Sequence, residues 1–157
     1  CCGKGISSGL PLSAVLGRKE LIDVDPSLNS THGGNPICCA ATLASLEVLQ
    51  DENLISESAR KGLLLEKELI KIKNKYEDRI EIFGKGLVYA IHVKKSGTKE
   101  YDVEIVDRII EKSMQKGVLL IRTGTGTIKI GPPLTIFDDA LLEGVSVIDE
   151  SISECFS

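Results

Sequence analysis

The chain has 157 residues, enough for a domain with its own core, and its 42% hydrophobic and 27% charged content is that of an ordinary globular protein. A net charge of −4, three Tyr, three Phe and no Trp leave no basic, aromatic-rich patch, which argues against a nucleic-acid partner. No apolar run approaches a membrane span, and five cysteines (Cys1, Cys2, Cys38, Cys39 and Cys155) suit neither a disulfide framework nor metal spacing, so reduced thiols in a cytoplasmic protein are expected.

The first stretch, CCGKGISSGLPLSAVLG, sets Lys4 between Gly3 and Gly5 with no other charge before Arg18. It reads as a loop and then a short strand at residues 12–16, bounded by Pro11 and Gly17. Residues 23–36, DVDPSLNSTHGGNP, form a long connection of the kind that often carries function. Asn35 followed by Pro36 predicts an N-cap and first helical position, so ICCAATLASLEVLQ is expected to be a helix. Its face of Cys38, Ala41, Thr42 and Ser45 is small enough for another element to approach closely.

A second helix is predicted over residues 54–76. Ile55, Ala59, Gly62, Leu65, Leu69, Ile72 and Tyr76 make its apolar stripe. Glu57, Lys61, Glu66, Lys67, Lys71 and Lys73 are assigned to its solvent face, with Glu57 and Lys61 paired at i, i+4. The period then changes: RIEIFGKGLVYAIHV reads as two strands or one bent strand, broken by Gly84 and Gly86. A third helix covers residues 102–116, with Val103, Val106, Ile110 and Met114 on one face and Gly117 as its stop. VLLIR and TIKIG are strands, the second ended by Pro132 and Pro133. The last helix begins near Asp138 and turns Leu141, Val145, Ile148, Ile152 and Phe156 inward. The expected fold class is α/β with an α+β C-terminal domain: helices on a small, largely antiparallel sheet, joined to a short piece of something else at the N-terminal end.

Three clusters can carry chemistry. A partly desolvated lysine is a usable amine, glycines beside it let a bulky ligand approach, and such an amine suits Schiff-base chemistry; a solvated lysine in a glycine turn is the plainer alternative for Lys4. STHGGNP offers hydroxyls and backbone N–H groups for a phosphate, or simply the Asn35 cap. GTGTIKIGPPL lacks the context of a nucleotide loop but carries Lys129, either an anion contact or a strand residue facing water. His32 and His92 have no acidic or cysteine partner at ligand spacing, so no metal site is expected.

Together and in this order the clusters resemble the C-terminal part of class III aminotransferases, pyridoxal-phosphate enzymes of fold type I. GKGISSGLPLSAVLGRKEL is similar to the family's Schiff-base lysine segment, and STHGGNPICCAATLASLEVL to its phosphate-contacting loop and following helix. GKGLVYAIHV and IKIGPPLTI are similar to a small-domain strand and the final Pro–Pro–Leu segment, so the resemblance covers essentially the whole chain. Its wording is that of the 4-aminobutyrate and acetylornithine type.

The resemblance implies that Lys4 binds pyridoxal 5'-phosphate through a Schiff base and, once released, acts as the base that moves a proton. It implies that the Thr31 hydroxyl binds the cofactor phosphate across a homodimer interface. It implies transfer of an amino group from an ω-amino or related acid to a 2-oxo acid such as 2-oxoglutarate. Many members carry an arginine where Lys129 stands, clamping the substrate carboxylate; a lysine offers a point charge in place of that fork. Residues 1–35 are then expected to belong to the cofactor-binding large domain, residues 36–52 to a connecting helix, and residues 53–157 to the small domain. The family's phosphate cup, ring-stacking aromatic and pyridine-pairing aspartate lie upstream of the lysine, so these 157 residues alone are expected to be inactive and to expose apolar surface. A racemase of the same fold and a non-catalytic α+β binding domain are the rival readings.

Overall fold

The computed structural model describes residues 1–25, 27 and 29–157; Pro26 and Leu28 of the predicted 23–36 connection lie outside the described residues. The chain divides into two units, Cys1–Ile55 and Ser56–Ser157.

In the first unit a 3₁₀ turn, Lys4–Ser7, precedes helices α1 (Lys19–Ile22) and α2 (Pro36–Asp51). The strand expected at residues 12–16 does not form. Cys2 and Ala14 make one antiparallel bridge, with Cys2 N donating to Ala14 O at 2.7 Å and Ala14 N donating to Cys2 O at 2.9 Å. Leu12 N turns back to Leu10 O, and Val15 and Leu16 stay exposed, so no ladder extends the bridge. The single turn α1 escaped the sequence reading because four residues show no helical period. Helix α2 begins as its cap predicts: Asn35 Oδ1 accepts from Ile37 N at 3.0 Å and from Cys38 N at 3.4 Å.

Helix α3 (Leu54–Lys75) lies in the second unit except for its first two residues. There four strands, β1 (Ile80–Lys85), β2 (Val88–Val93), β3 (Ile121–Thr123) and β4 (Thr127–Ile130), form an antiparallel sheet in the order β1-β2-β4-β3. Helices α4 (Val103–Gln115) and α5 (Asp138–Phe156) complete the unit. The α+β architecture expected from the sequence is therefore present. Period-2 alternation sends Tyr89, Ile91 and Val93 of β2 to one face, where they join Ile128 and Ile130 of β4. Leu65, Leu69 and Ile72 of α3, Val106 and Ile109 of α4, and Leu141, Val145, Ile148 and Ile152 of α5 belong to the same core. The opposite strand positions are open: Phe83, Val88 and Ile121 are exposed, and so is Lys129.

Two glycine contacts set the geometry. A Cβ on Gly62 would stand 2.5 Å from Gly86 Cα, so α3 meets the β1–β2 turn backbone to backbone. Helix α4 ends as a Schellman motif: Gly117 takes φ +92°, its N–H donates to Met114 O, and Val118 N donates to Ser113 O at 2.8 Å. That last bond draws the chain back towards the helix, and it explains why VLLIR yields a strand only from Ile121 onward.

Three details depart from the periodic reading. Met114 is 53% exposed, and Ser113 takes the inward place. Ile55 is exposed rather than part of the stripe. Lys61, assigned to solvent, is buried.

Candidate functional site

Lys4 opens the 3₁₀ turn with φ +56°, a left-handed conformation that costs a residue with a side chain about 1–2 kcal/mol. Ser8, closing the turn, is left-handed as well at φ +49°. Local contacts hold this pair of unfavourable conformations. The Cys2–Ala14 bridge ties the entrance, and the fully buried Ser7 donates its hydroxyl to Leu10 O. Ser8 Oγ lies 2.8 Å from Ser45 Oγ on α2. Ser45 already donates to Ala41 O at 2.8 Å, so the proton between the two serines comes from Ser8. The small α2 face of Cys38, Ala41, Thr42 and Ser45, buried or half-buried, is what allows this approach.

These contacts brace the turn while its amine stands free. Lys4 is exposed, and among the described residues it forms no ion pair or side-chain hydrogen bond. A Cβ on Gly3 or Gly5 would meet nothing within 4 Å, so space is open on both sides of the amine.

Thr31 begins the turn that leads into α2, with Gly33 N donating to Ser30 O at 2.9 Å and Asn35 N to His32 O at 3.2 Å. Thr31 is exposed, and its hydroxyl has no partner among the described residues. Asn35 takes the Ile37 and Cys38 N–H groups for its cap. An incoming anion is therefore left the Thr31 hydroxyl and the turn, not those helix amides.

Lys129 lies in the second unit, on β4, paired in register with Ala90 of β2 and Ile121 of β3. It is exposed on the open sheet face and forms no ion pair among the described residues. Lys4 and Thr31 thus share the first unit, without a hydrogen bond between them, and Lys129 belongs to the second. Missed in the sequence was Lys61, whose Nζ donates to Leu134 O at 3.2 Å. Its signal was present: it lies on the inward row of α3, one turn before Leu65.

Among the described residues no group of three or more His, Cys, Asp or Glu could hold a metal ion, the five cysteines are free, and no helix is long and apolar enough to cross a membrane. A primary amine in open space and an unpartnered hydroxyl fit an aldehyde cofactor with a phosphate arm.

The profile of the class-III aminotransferases matches residues 1–152, and the chain belongs to that family. It is 34% identical over 159 residues to a 4-aminobutyrate aminotransferase of Mycobacterium leprae, covering 98% of this chain and 35% of that protein. Among solved structures it resembles an acetylornithine aminotransferase from Elizabethkingia anophelis, with a TM-score of 0.84, 35% identity, and coverage of 97% of this chain and 38% of the other. A phospholyase from Arthrobacter in complex with phosphoethanolamine is similar too, with a TM-score of 0.88, 27% identity, and coverage of 96% and 37%. The chain spans about a third of the length of the curated relatives it matches.

Proposed function

We propose that the chain is the C-terminal portion of a pyridoxal-phosphate-dependent aminotransferase that moves an amino group from an ω-amino or related acid to a 2-oxo acid such as 2-oxoglutarate. One observation carries this reading: the Lys4 amine stands exposed on a left-handed turn, in open space between two glycines, within a chain of the class-III family. Residues 1–35 would belong to the cofactor-binding domain, 36–52 to a connecting helix, and 53–157 to the small domain.

Pyridoxal phosphate, when bound, supplies an aldehyde for the amine and a ring that accepts the electron pair left by a departing proton. Lys4 would hold that aldehyde through its Nζ, and as a free neutral amine it would take a proton from the substrate's amine-bearing carbon and return it to a neighbouring atom. The left-handed 3₁₀ turn sets the backbone from which that amine reaches out. Thr31 donates its hydroxyl to the phosphate, in a homodimer across the subunit boundary. Lys129, exposed on the open sheet face, supplies a positive charge to the substrate carboxylate. The cytoplasmic assignment rests on the free cysteines. The 157 residues alone would not turn over, given the third of the relatives' length they span.

The phospholyase likeness supports a second reading, elimination of phosphate from a phosphorylated amine with the same lysine as base. The complete enzyme, given pyridoxal phosphate, decides between them. Glutamate formation from 2-oxoglutarate and 4-aminobutyrate is the expected result. Phosphate release from phosphoethanolamine without 2-oxo acid consumption favours the lyase, and racemisation of an amino acid without either favours a racemase. No turnover on any of these, nor with 5-aminovalerate, ornithine or acetylornithine as donor, favours the non-catalytic binding domain.

A further inference from the structure

We propose that Lys61 is a positioning residue for Lys129, an inference that rests on reading Lys129 as the carboxylate-binding cation. Lys61 is only 7% exposed and precedes Leu65 and Leu69 on the inward row of α3. An aliphatic side chain would fill that place without desolvating an ammonium, so packing alone does not account for a lysine there. Its Nζ donates to Leu134 O at 3.2 Å and stands 3.9 Å from Glu57 Oε2.

Apart from Ile136, which packs against the core, the segment between β4 and α5 has few polar ties to the rest of the unit. Pro132 and Pro133 bring no N–H, and the turn bond from Ile136 N to Pro133 O, 3.1 Å, is internal to the segment. Among the described residues, the Leu134 carbonyl has Lys61 as its partner. One residue earlier on α3, Arg60 forks onto Asp138 at 2.7 and 2.8 Å and also binds Glu57. Two successive cations of α3 therefore hold the segment at Leu134 and at the start of α5.

The other end of the segment touches Lys129. Its Cε lies 3.9 Å from where a Cβ on Gly131 would stand, so the side chain runs over Gly131. Pro132 and Pro133, with φ fixed by their rings, connect Gly131 to Leu134 stiffly. Releasing Leu134 from Lys61 shifts the floor beneath the Lys129 side chain and spreads the positions of its ammonium. Lys61 meets no substrate; it acts through the backbone.

The test uses the complete holoenzyme containing this chain, with 4-aminobutyrate as donor and glutarate as a calorimetric probe of carboxylate binding. Lys61→Met is expected to raise the donor KM and the glutarate Kd about five- to tenfold, with kcat within about twofold, since a tenfold loss matches one charge-assisted hydrogen bond. Amide exchange at Leu134 and Ile136 should quicken in the same variant, and Lys61→Arg should restore KM. Lys61→Gln, a milder change, serves where Lys61→Met does not fold. Lys129→Met is the control for the underlying reading. If it raises KM and Kd while the Lys61 variants leave both unchanged, the positioning role is wrong and the Lys129 reading stands. If Lys129→Met itself leaves KM and Kd unchanged, that reading falls and takes the Lys61 inference with it.

Discussion

The two units are held together by different means. In Ser56–Ser157, three helices bury one face of a four-stranded sheet, and Ile91, Val93, Val106, Ile109, Ile128 and Ile152 are fully enclosed. In Cys1–Ile55, only Ser7, Cys38 and Leu54 of the described residues are buried, and α2 leaves Ile37, Leu43, Leu46 and Val48 exposed. Hydrogen bonds, not a core, shape the first unit: a single bridge, two serine contacts and an asparagine cap. The contrast shows that local polar bonds shape the turn that bears Lys4, whereas apolar burial is concentrated in the unit that bears Lys129. An apolar helix is ordinarily covered, and among the described residues α2 is not.

The largest expected effect breaks the first unit's function without touching its fold. In the complete enzyme, Lys4→Ala should lower transamination about 10³-fold or more, because the proposed function makes the amine both anchor and proton carrier. Melting temperature of the cofactor-free enzyme should hardly change, since Lys4 forms no ion pair or side-chain hydrogen bond among the described residues. Next comes a paired substitution that sharpens the contrast in stability. Measured on the 157-residue chain by chemical denaturation, Ile109→Ala should cost about 2–5 kcal/mol, while Ile37→Ala, removing a side chain 72% exposed there, should stay within about 0.5 kcal/mol. Equal losses would mean that the two units do not differ as described.

A smaller effect falls on cofactor affinity. Thr31→Ala should weaken binding of pyridoxal phosphate to the complete enzyme about tenfold, measured by fluorescence titration, if the hydroxyl donates to the phosphate as proposed. The smallest effect concerns pH and belongs to the second unit. Lys112 and then Lys116, through hydrogen bonds from α4, hold the Glu154 carboxyl at about 2 against an ordinary 4.5. A carboxyl depressed in the folded state adds stability above about 4.5 and loses it as pH falls towards 2. Glu154→Gln should therefore flatten the acid limb of the stability curve between those values. The exposed setting makes the effect small and erasable by salt.

Much of the second unit was legible because its elements obey simple periods. Leu141, Val145, Ile148 and Ile152 repeat at helical spacing and are buried, and the alternation in VYAIHV marks the two faces of β2. Asn35 and Pro36 announced α2 by local chemistry alone. Residues 12–16 misled because β-like composition says nothing about whether a partner strand stands alongside. Lys61 misled for a related reason: a charged residue counts as solvent-facing until its partner is known, and Leu134 is 73 positions away. For the site, GKG pointed to Lys4 as an amine with room around it. The left-handed turn, and the Ser8–Ser45 bond that braces it, depend on α2 packing against the loop and lay beyond any local pattern.

Borohydride reduction of the complete enzyme in the presence of pyridoxal phosphate, followed by peptide mapping, tests the central claim most directly. The account predicts one stable pyridoxyl label, on Lys4 Nζ, blocked when the substrate amine is present in excess. A label carried at full occupancy by another lysine, with Lys4 unmodified, would contradict it.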